Sequence, residues 1–132
     1  MQKRGKNKYK VTIPTDLDIA PSDFEISAAA IIANYLLSNI TIIKRNPNAH
    51  TADFLIKNQI WEHKAPMGSG KRTMQNNLRS ADNQSARIII DLRRCRMHSA
   101  RAISRLKYEL SKATKIKRLL VIEKSKKVLE LR

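Results

Sequence analysis

The sequence predicts an α/β fold in which a mixed central sheet is flanked by helices. Short apolar runs of strand length alternate with segments whose apolar residues recur at helical spacing, a pattern typical of α/β proteins. The chain has 132 residues, enough to bury a core without disulfides, and its one cysteine, Cys95, cannot form an internal one. The longest apolar stretch, about a dozen residues, is too short to span a bilayer.

Residues 1–21 are predicted to form a basic N-terminal arm, and residues 22–132 a single domain. The arm is rich in lysine and holds prolines at positions 14 and 21. Within it a short strand is predicted at residues 9–13. The arm is therefore interpreted as a basic lead into the folded domain.

The domain is predicted to begin with a helix that runs from a capping box to about Leu37. Ser22 and Glu25 have the spacing at which an N-cap serine and a glutamate satisfy each other's backbone N–H groups. Glu25 is interpreted as this cap partner, with a contribution to an acidic site as the alternative. A strand is predicted next, at residues 40–44.

The segment 52–64 predicts two short strands joined by a polar turn, with Asp53 on the first strand and Glu62 and Lys64 on the second. Successive side chains of a strand alternate between faces, so Glu62 and Lys64 share one face and His63 takes the other. Across a hairpin, Asp53 can lie beside Glu62, and two such carboxylates repel each other unless a cation lies between them.

A divalent metal site is therefore predicted at Asp53 and Glu62, with Mg²⁺ as the expected ion and Mn²⁺ or Zn²⁺ as alternatives. Mg²⁺ binds carboxylate and phosphate oxygens and keeps several waters. Lys64 would orient a water or neutralise charge that develops on a phosphate. The alternative is an ordinary hairpin with one buried and one solvated face, in which this spacing arises by chance.

The second half of the chain predicts two helices and three strands. A helix is predicted at about residues 71–83, followed by an isoleucine-rich strand at 87–92 whose two faces should both be covered. A helix at about 99–114 comes next, and strands at 117–123 and 127–131 close the chain as a hairpin.

The chain has 27 Lys+Arg against 11 Asp+Glu, a formal net charge of +16. So large an imbalance indicates a polyanionic partner, either a phosphate backbone or an acidic protein. One basic cluster follows the loop Gly68-Ser69-Gly70, and another follows the isoleucine-rich strand, where ligands gather in open α/β sheets. The predicted nucleic-acid-binding residues of these clusters are Lys71, Arg72, Arg93, Arg94 and Arg96. Ordinary solvated surface is the alternative for each.

The segments ADFLI, WEHKAP and GSGKRTMQNNLRSADNQSARIIIDLRR resemble the C-terminal tRNA nuclease domains of contact-dependent growth inhibition (CdiA-type) toxins. The order helix, strand, Asp strand, ExK strand, helix, strand resembles the core of the PD-(D/E)XK nuclease superfamily. The resemblance implies Asp53 and Glu62 as metal ligands, Lys64 as the catalytic lysine, and Glu25 as the acidic residue of the first core helix. Ala52 stands where the superfamily pattern has proline.

The same resemblance implies a metal-dependent endoribonuclease toxin that cleaves tRNA. It implies an acidic cognate immunity protein. No membrane contact is expected for the domain itself, because its longest apolar stretch is too short to span a bilayer. Such a domain is secreted or delivered within a larger protein and acts in the cytoplasm of the target cell.

Three other functions are left open by the sequence. A metal-independent ribonuclease of the barnase and colicin type would use His50 or His63 as acid and base, with Lys64, Arg72 and Thr73 holding the phosphate. A DNA endonuclease of the same superfamily is the second. The third is a non-catalytic RNA-binding module, which the small number of aromatic residues disfavours.

Overall fold

The chain divides into two compact units, the first of residues 1–59 and the second of residues 60–132. The computed structural model describes residues 8–15, 20–43, 53–82 and 85–132. Among the helices of these residues, none combines the length and the hydropathy that crossing a membrane requires.

The first unit places one helix against short strands. Strand β1 (Val11–Thr12) lies parallel to β2 (Ile40–Ile43), and β2 pairs antiparallel with β3 (Asp53–Ile56). Helix α1 (Asp23–Leu36) contacts β1 and β2. Its apolar face and the inward faces of the strands form the hydrophobic core of this unit, whose buried residues are Ala28, Ala29, Ile32, Ala33, Ile40, Ile42, Phe54 and Ile56.

The capping box predicted at the start of α1 is confirmed. The Glu25 backbone N–H donates to Ser22 Oγ at 3.2 Å, and the Ser22 N–H donates to Glu25 Oε1 at 2.8 Å. Leu37 ends the helix in the left-handed conformation, with φ 54°, and its N–H donates to the carbonyl of Ala33. Glu25 therefore acts as the cap partner, and its contribution to an acidic site stays a prediction.

The second unit contains four strands and two helices. They are β4 (Gln59–Lys64), α2 (Thr73–Asp82), β5 (Arg87–Asp91), α3 (Ser99–Lys112), β6 (Arg118–Ile122) and β7 (Val128–Glu130). The first of these strands, β4, begins at Gln59, one residue before the unit itself begins at Ile60. Strands β4, β5 and β6 are parallel in that order, and β7 pairs antiparallel with β6, as predicted for the closing hairpin.

The central position predicted for the isoleucine-rich strand is confirmed. Ile88, Ile89 and Ile90 are all fully buried, and β5 lies between β4 and β6. Because neighbouring residues of a strand face opposite ways, three consecutive buried residues mean that both faces of β5 are covered.

The two helices of this unit cover the core with the residues that helical spacing selects. Helix α2 buries Met74, Leu78 and Ala81. Helix α3 buries Ala102, Leu106 and Leu110, while Ile103 and Ala113 are partly buried against the same core. The apolar period of each helix thus identifies its inward face.

Element ends differ from the predictions by a few residues. Helix α2 begins at Thr73, since the hydrogen bond from the Asn76 N–H to the Arg72 carbonyl, 2.8 Å, closes its first turn. Helix α3 ends at Lys112 because Ala113 is extended. Lys44, the last residue of the predicted 40–44 strand, lies outside the described residues.

The predicted α/β class and the mixed pairing of its strands are confirmed. The PD-(D/E)XK assignment and the division into a basic arm and a single domain stay predictions.

Candidate functional site

Glu62 and Lys64 face each other on β4, as their spacing predicts. The Lys64 Nζ lies 3.0 Å from Glu62 Oε2, and the two side chains are only 18% and 12% exposed. The second carboxylate oxygen, Glu62 Oε1, is buried and has no hydrogen-bond partner among the described residues. A buried oxygen in this state is costly to leave unsatisfied, so the geometry favours a cation or a donor beside it.

The unsatisfied oxygen of Glu62 fits a Mg²⁺ ion, which prefers carboxylate oxygens. Within the described ranges, no group of three or more His, Cys, Asp and Glu side chains is placed to hold a metal. A Mg²⁺ ion needs fewer protein ligands than that, because it keeps several waters and binds substrate phosphates.

Asp53 is the first residue of β3 and belongs to the first unit. Its strand partner is Ile43, and its side chain is partly buried. Glu62 and Lys64 belong to the second unit, where the structure brings them together. The joint role of Asp53, Glu62 and Lys64 stays a prediction.

His63 occupies the opposite, buried face of β4, again as the strand parity predicts. Its Nε2 lies 3.0 Å from Asp91 Oδ2, and both side chains are 0% exposed. Asp91 is the last residue of β5, the strand that pairs with β4 in parallel. The two parallel strands are thus joined by a buried side-chain hydrogen bond next to their carboxyl ends.

Asp91 also holds Arg93 through two parallel hydrogen bonds. Arg93 Nε donates to Oδ1 at 2.9 Å and Nη2 donates to Oδ2 at 2.7 Å, while the Arg93 backbone N–H donates to Oδ1 at 3.1 Å. Burial alone would raise the pKa of Asp91, but the hydrogen bonds with His63 and Arg93 outweigh it and leave the pKa below the ordinary 3.8. Asp91 is therefore a buried carboxylate, so the His63 Nε2 carries the proton that it accepts.

Asp91 is the site residue that the sequence predictions missed. An aspartate that ends a run of buried isoleucines must find partners inside the fold, and Arg93 two residues later is one. This signal was available in the sequence. The pairing with His63 depends on β4 and β5 becoming neighbours.

Two basic loops contact each other where the parallel strands end. The loop after β4 and the loop after β5 are joined by a hydrogen bond from the Arg96 N–H to the Met67 carbonyl, 3.1 Å, and by Cys95 Sγ to the Gly68 carbonyl, 3.4 Å. Lys124, which follows β6, donates to the Met97 carbonyl at 2.8 Å. We call this side of the second unit, formed by the loops that follow β4, β5 and β6, the C-terminal edge.

The C-terminal edge gathers four of the five predicted nucleic-acid-binding residues as exposed side chains, and these are Lys71, Arg72, Arg94 and Arg96. The fifth, Arg93, is engaged by Asp91 and is only 11% exposed. Position at this edge suits phosphate binding. Phosphate contact stays a prediction for all five residues.

The residues of the metal-independent alternative are differently placed. His63 is fully buried, which disfavours it as an acid or base toward a bound substrate, and His50 lies outside the described residues. Thr73 is partly buried at the start of α2. A Cβ at Gly68 would lie 2.9 Å from Thr73 Oγ1, so a larger residue at position 68 would require the Thr73 side chain to shift.

Comparison with known proteins gives a family and a fold. Residues 50–128 match the contact-dependent growth inhibition CdiA C-terminal domain family. The chain is also similar to a solved structure described as the CdiA-CT/CdiI toxin and immunity complex from Burkholderia pseudomallei. The TM-score is 0.62 at 14% identity, with 92% of this chain and 97% of that chain covered, so the similarity shows the fold alone. No curated protein matches the chain.

Proposed function

The chain belongs to the contact-dependent growth inhibition CdiA C-terminal domain family and is a growth-inhibiting toxin domain, and from this premise we propose that it is a metal-dependent endoribonuclease that cleaves tRNA. The observation that carries the proposal is the pair formed by Glu62 and Lys64. A lysine neutralises one oxygen of a largely buried carboxylate while the other oxygen has no partner among the described residues. An ordinary solvated strand face would not desolvate a carboxylate in this way.

Each residue of the proposed site has a role. Glu62 would hold the ion through Oε1, and Asp53 is the second ligand that the sequence predicts. The ion would supply Lewis acidity at the scissile phosphate and a more acidic bound water. Lys64 would place its ammonium against the phosphate oxygens and stabilise the charge that develops there.

The exposed cations of the C-terminal edge would bind the RNA backbone. Lys71 and Arg72 precede α2, and Arg94 and Arg96 follow β5, so two loops present positive charge on the same side of the unit. Contacts of this kind fix the position of a nucleic acid without reading its sequence. RNA as the substrate, and tRNA in particular, rests on the resemblance of the sequence to CdiA-type tRNA nucleases.

We also propose a cognate immunity protein as the partner of this domain. The structurally similar protein from Burkholderia pseudomallei was solved in a complex of toxin and immunity protein. A partner that covers the C-terminal edge would need acidic residues, because unpaired cations are costly in an interface. A CdiA C-terminal domain is delivered as part of a larger protein, and the proposed place of action is the cytoplasm of the target cell.

The experiment that tests the function is incubation of the purified chain with tRNA, total RNA and plasmid DNA, each with Mg²⁺ and with EDTA. We expect tRNA fragments in Mg²⁺ alone and intact DNA in every lane. Cleavage that survives EDTA would favour the metal-independent alternative. Cleavage of plasmid DNA would favour a DNA endonuclease, and RNA binding without cleavage a binding module.

A further inference from the structure

His63 stands between the two residues of β4 to which the proposed function assigns chemistry. Its backbone is flanked by Glu62 and Lys64, while its side chain points to the opposite, fully buried face and reaches Asp91 at 3.0 Å. Any shift of His63 along or about the strand must also move Glu62 and Lys64, because the three share one stretch of backbone. The hydrogen bond to Asp91 thus restrains both neighbours.

The pairing register of β4 and β5 places His63 within hydrogen-bonding distance of Asp91. His63 is opposite Ile89, Lys64 is opposite Ile90, and Asp91 is the next residue of β5. Ile89 and Asp91 point to the same face, two residues apart, so the imidazole spans from its own partner to the following position on that face. The hydrogen bond between His63 and Asp91 therefore reinforces the backbone hydrogen bonds between β4 and β5 at the carboxyl ends of the two strands.

Arg93 completes the cluster by giving Asp91 a charge partner. Its two hydrogen bonds of 2.9 and 2.7 Å are the parallel, charge-assisted kind. A buried carboxylate with such a partner remains a hydrogen-bond acceptor for His63 Nε2, 3.0 Å away. The hydrogen bonds among His63, Asp91 and Arg93 thus hold these three side chains in one arrangement behind β4.

We propose that Asp91 is a positioning residue of the nuclease site, acting through His63 to hold the carboxylate of Glu62 and the ammonium of Lys64 in place. The inference rests on the proposed function of those two residues. It adds that the opposite face of β4 is built to support them. Neither Asp91 nor His63 touches substrate, because both are fully buried.

The support has a physical task. Glu62 keeps a buried oxygen without a partner in the described structure, and Lys64 keeps its ammonium 3.0 Å from the other oxygen. Both groups would gain free energy by turning toward water, since burial penalises charge. The hydrogen bond between His63 and Asp91 on the opposite face of β4 opposes that relaxation and keeps Glu62 and Lys64 preorganised.

The test measures kcat and KM for tRNA cleavage with three variants of His63 in the full chain. His63→Leu fills the space but removes the hydrogen bond, and we expect kcat to fall by about 10 to 100-fold, as for supporting residues of metal sites. KM should stay unchanged, because the exposed cations of the C-terminal edge are untouched. His63→Gln can place an amide N–H where Nε2 was and should restore most of kcat.

A third variant keeps the test decisive if His63→Leu does not fold. His63→Asn carries the same amide as glutamine on a side chain one methylene shorter, so it should not reach Asp91. We expect the glutamine variant to be active and the asparagine variant to be slow, with similar melting temperatures. Ser111→Ala, an exposed change on α3, serves as the control for the assay.

The outcomes separate this inference from the proposed function. If Glu62→Gln cleaves like the unsubstituted chain, the proposed function fails, and the positioning inference with it. If Glu62→Gln is inactive while folded His63→Leu, or His63→Asn, cleaves as fast as His63→Gln, only the positioning inference is wrong. A rise in KM with unchanged kcat would also overturn it.

Discussion

The two units of the chain differ in net charge. Residues 1–59 contain 8 Lys+Arg and 5 Asp+Glu, a net charge of +3, whereas residues 60–132 contain 19 and 6, a net charge of +13. The positive charge that predicts a polyanionic partner therefore lies mainly in the second unit. That unit also holds the loops that gather at the C-terminal edge.

Buried carboxylates also differ between the two units. In the first unit, Glu25 completes a capping box and so finishes a helix. In the second unit, Asp91 joins a histidine and an arginine, and Glu62 forms an ion pair with Lys64 at 3.0 Å. Buried ionisable groups with specific partners are concentrated at functional sites, so the comparison points to the second unit.

The largest effect on stability should follow the replacement of Asp91. Asp91→Ala leaves Arg93 without its buried partner, and breaking such a pair costs about 3 to 5 kcal/mol. The matched change in the first unit, Glu25→Ala, removes half of a capping box and should cost about 1 kcal/mol. Urea unfolding of both variants measures the difference.

Equal costs for these two substitutions would contradict the comparison. They would mean that the cluster around Asp91 is no more important to stability than a helix cap. The slope of the unfolding free energy against urea should stay the same in both variants, since a changed slope would indicate a different extent of unfolding.

Local patterns in the sequence were enough to predict most elements. The spacing of Met74, Leu78 and Ala81 identifies the inward face of α2, and the pair Ser22 and Glu25 identifies the start of α1. These features depend on residues close together in the chain, where helix and cap geometry fix the outcome.

The site was predicted only where it too is local. Strand parity places Glu62 beside Lys64 and turns His63 away, as the structure shows. The partner of His63 is 28 residues distant, and no local rule gives the order of β4 and β5. The sequence also groups Arg93 with Arg94 and Arg96 as nucleic-acid-binding residues. In the structure the Arg93 side chain instead donates hydrogen bonds to Asp91.

The salt dependence of RNA binding should distinguish the cations of the two units. Joint replacement of Arg94 and Arg96 by serine should reduce the slope of log affinity against log salt by about 0.7 to 0.9 per lost phosphate contact. Arg93 is left in place because Asp91 engages it. Lys8 and Lys10, exposed residues of the first unit, provide the matched pair.

Binding titrations at several salt concentrations give the slopes. We expect a smaller change for Lys8→Ser with Lys10→Ser than for the two arginines. The same change in both double variants would show that the C-terminal edge has no special part in binding.

The smallest effect should be an acid-induced loss of stability. The pKa of Asp91 in the folded chain lies below its ordinary 3.8, so its contribution is present above the unfolded pKa and is lost as the pH falls through the folded pKa. The unfolding free energies of the unsubstituted chain and Asp91→Asn should therefore differ most at neutral pH and converge below about pH 4. A constant difference across that range would contradict the assigned partners of Asp91.

The most direct test of the central claim is tRNA cleavage by Glu62→Gln in the presence of Mg²⁺. The substitution removes the charge that would hold the ion and keeps the shape of the side chain, so we expect no cleavage. The melting temperature should be unchanged or higher, because functional sites hold unfavourable groups at a cost to stability. Glu130→Gln, which alters a more exposed ion pair with Arg118 at 3.4 Å, is the control and should cleave normally. A folded Glu62→Gln chain that cleaves tRNA at the rate of the unsubstituted chain would contradict the account.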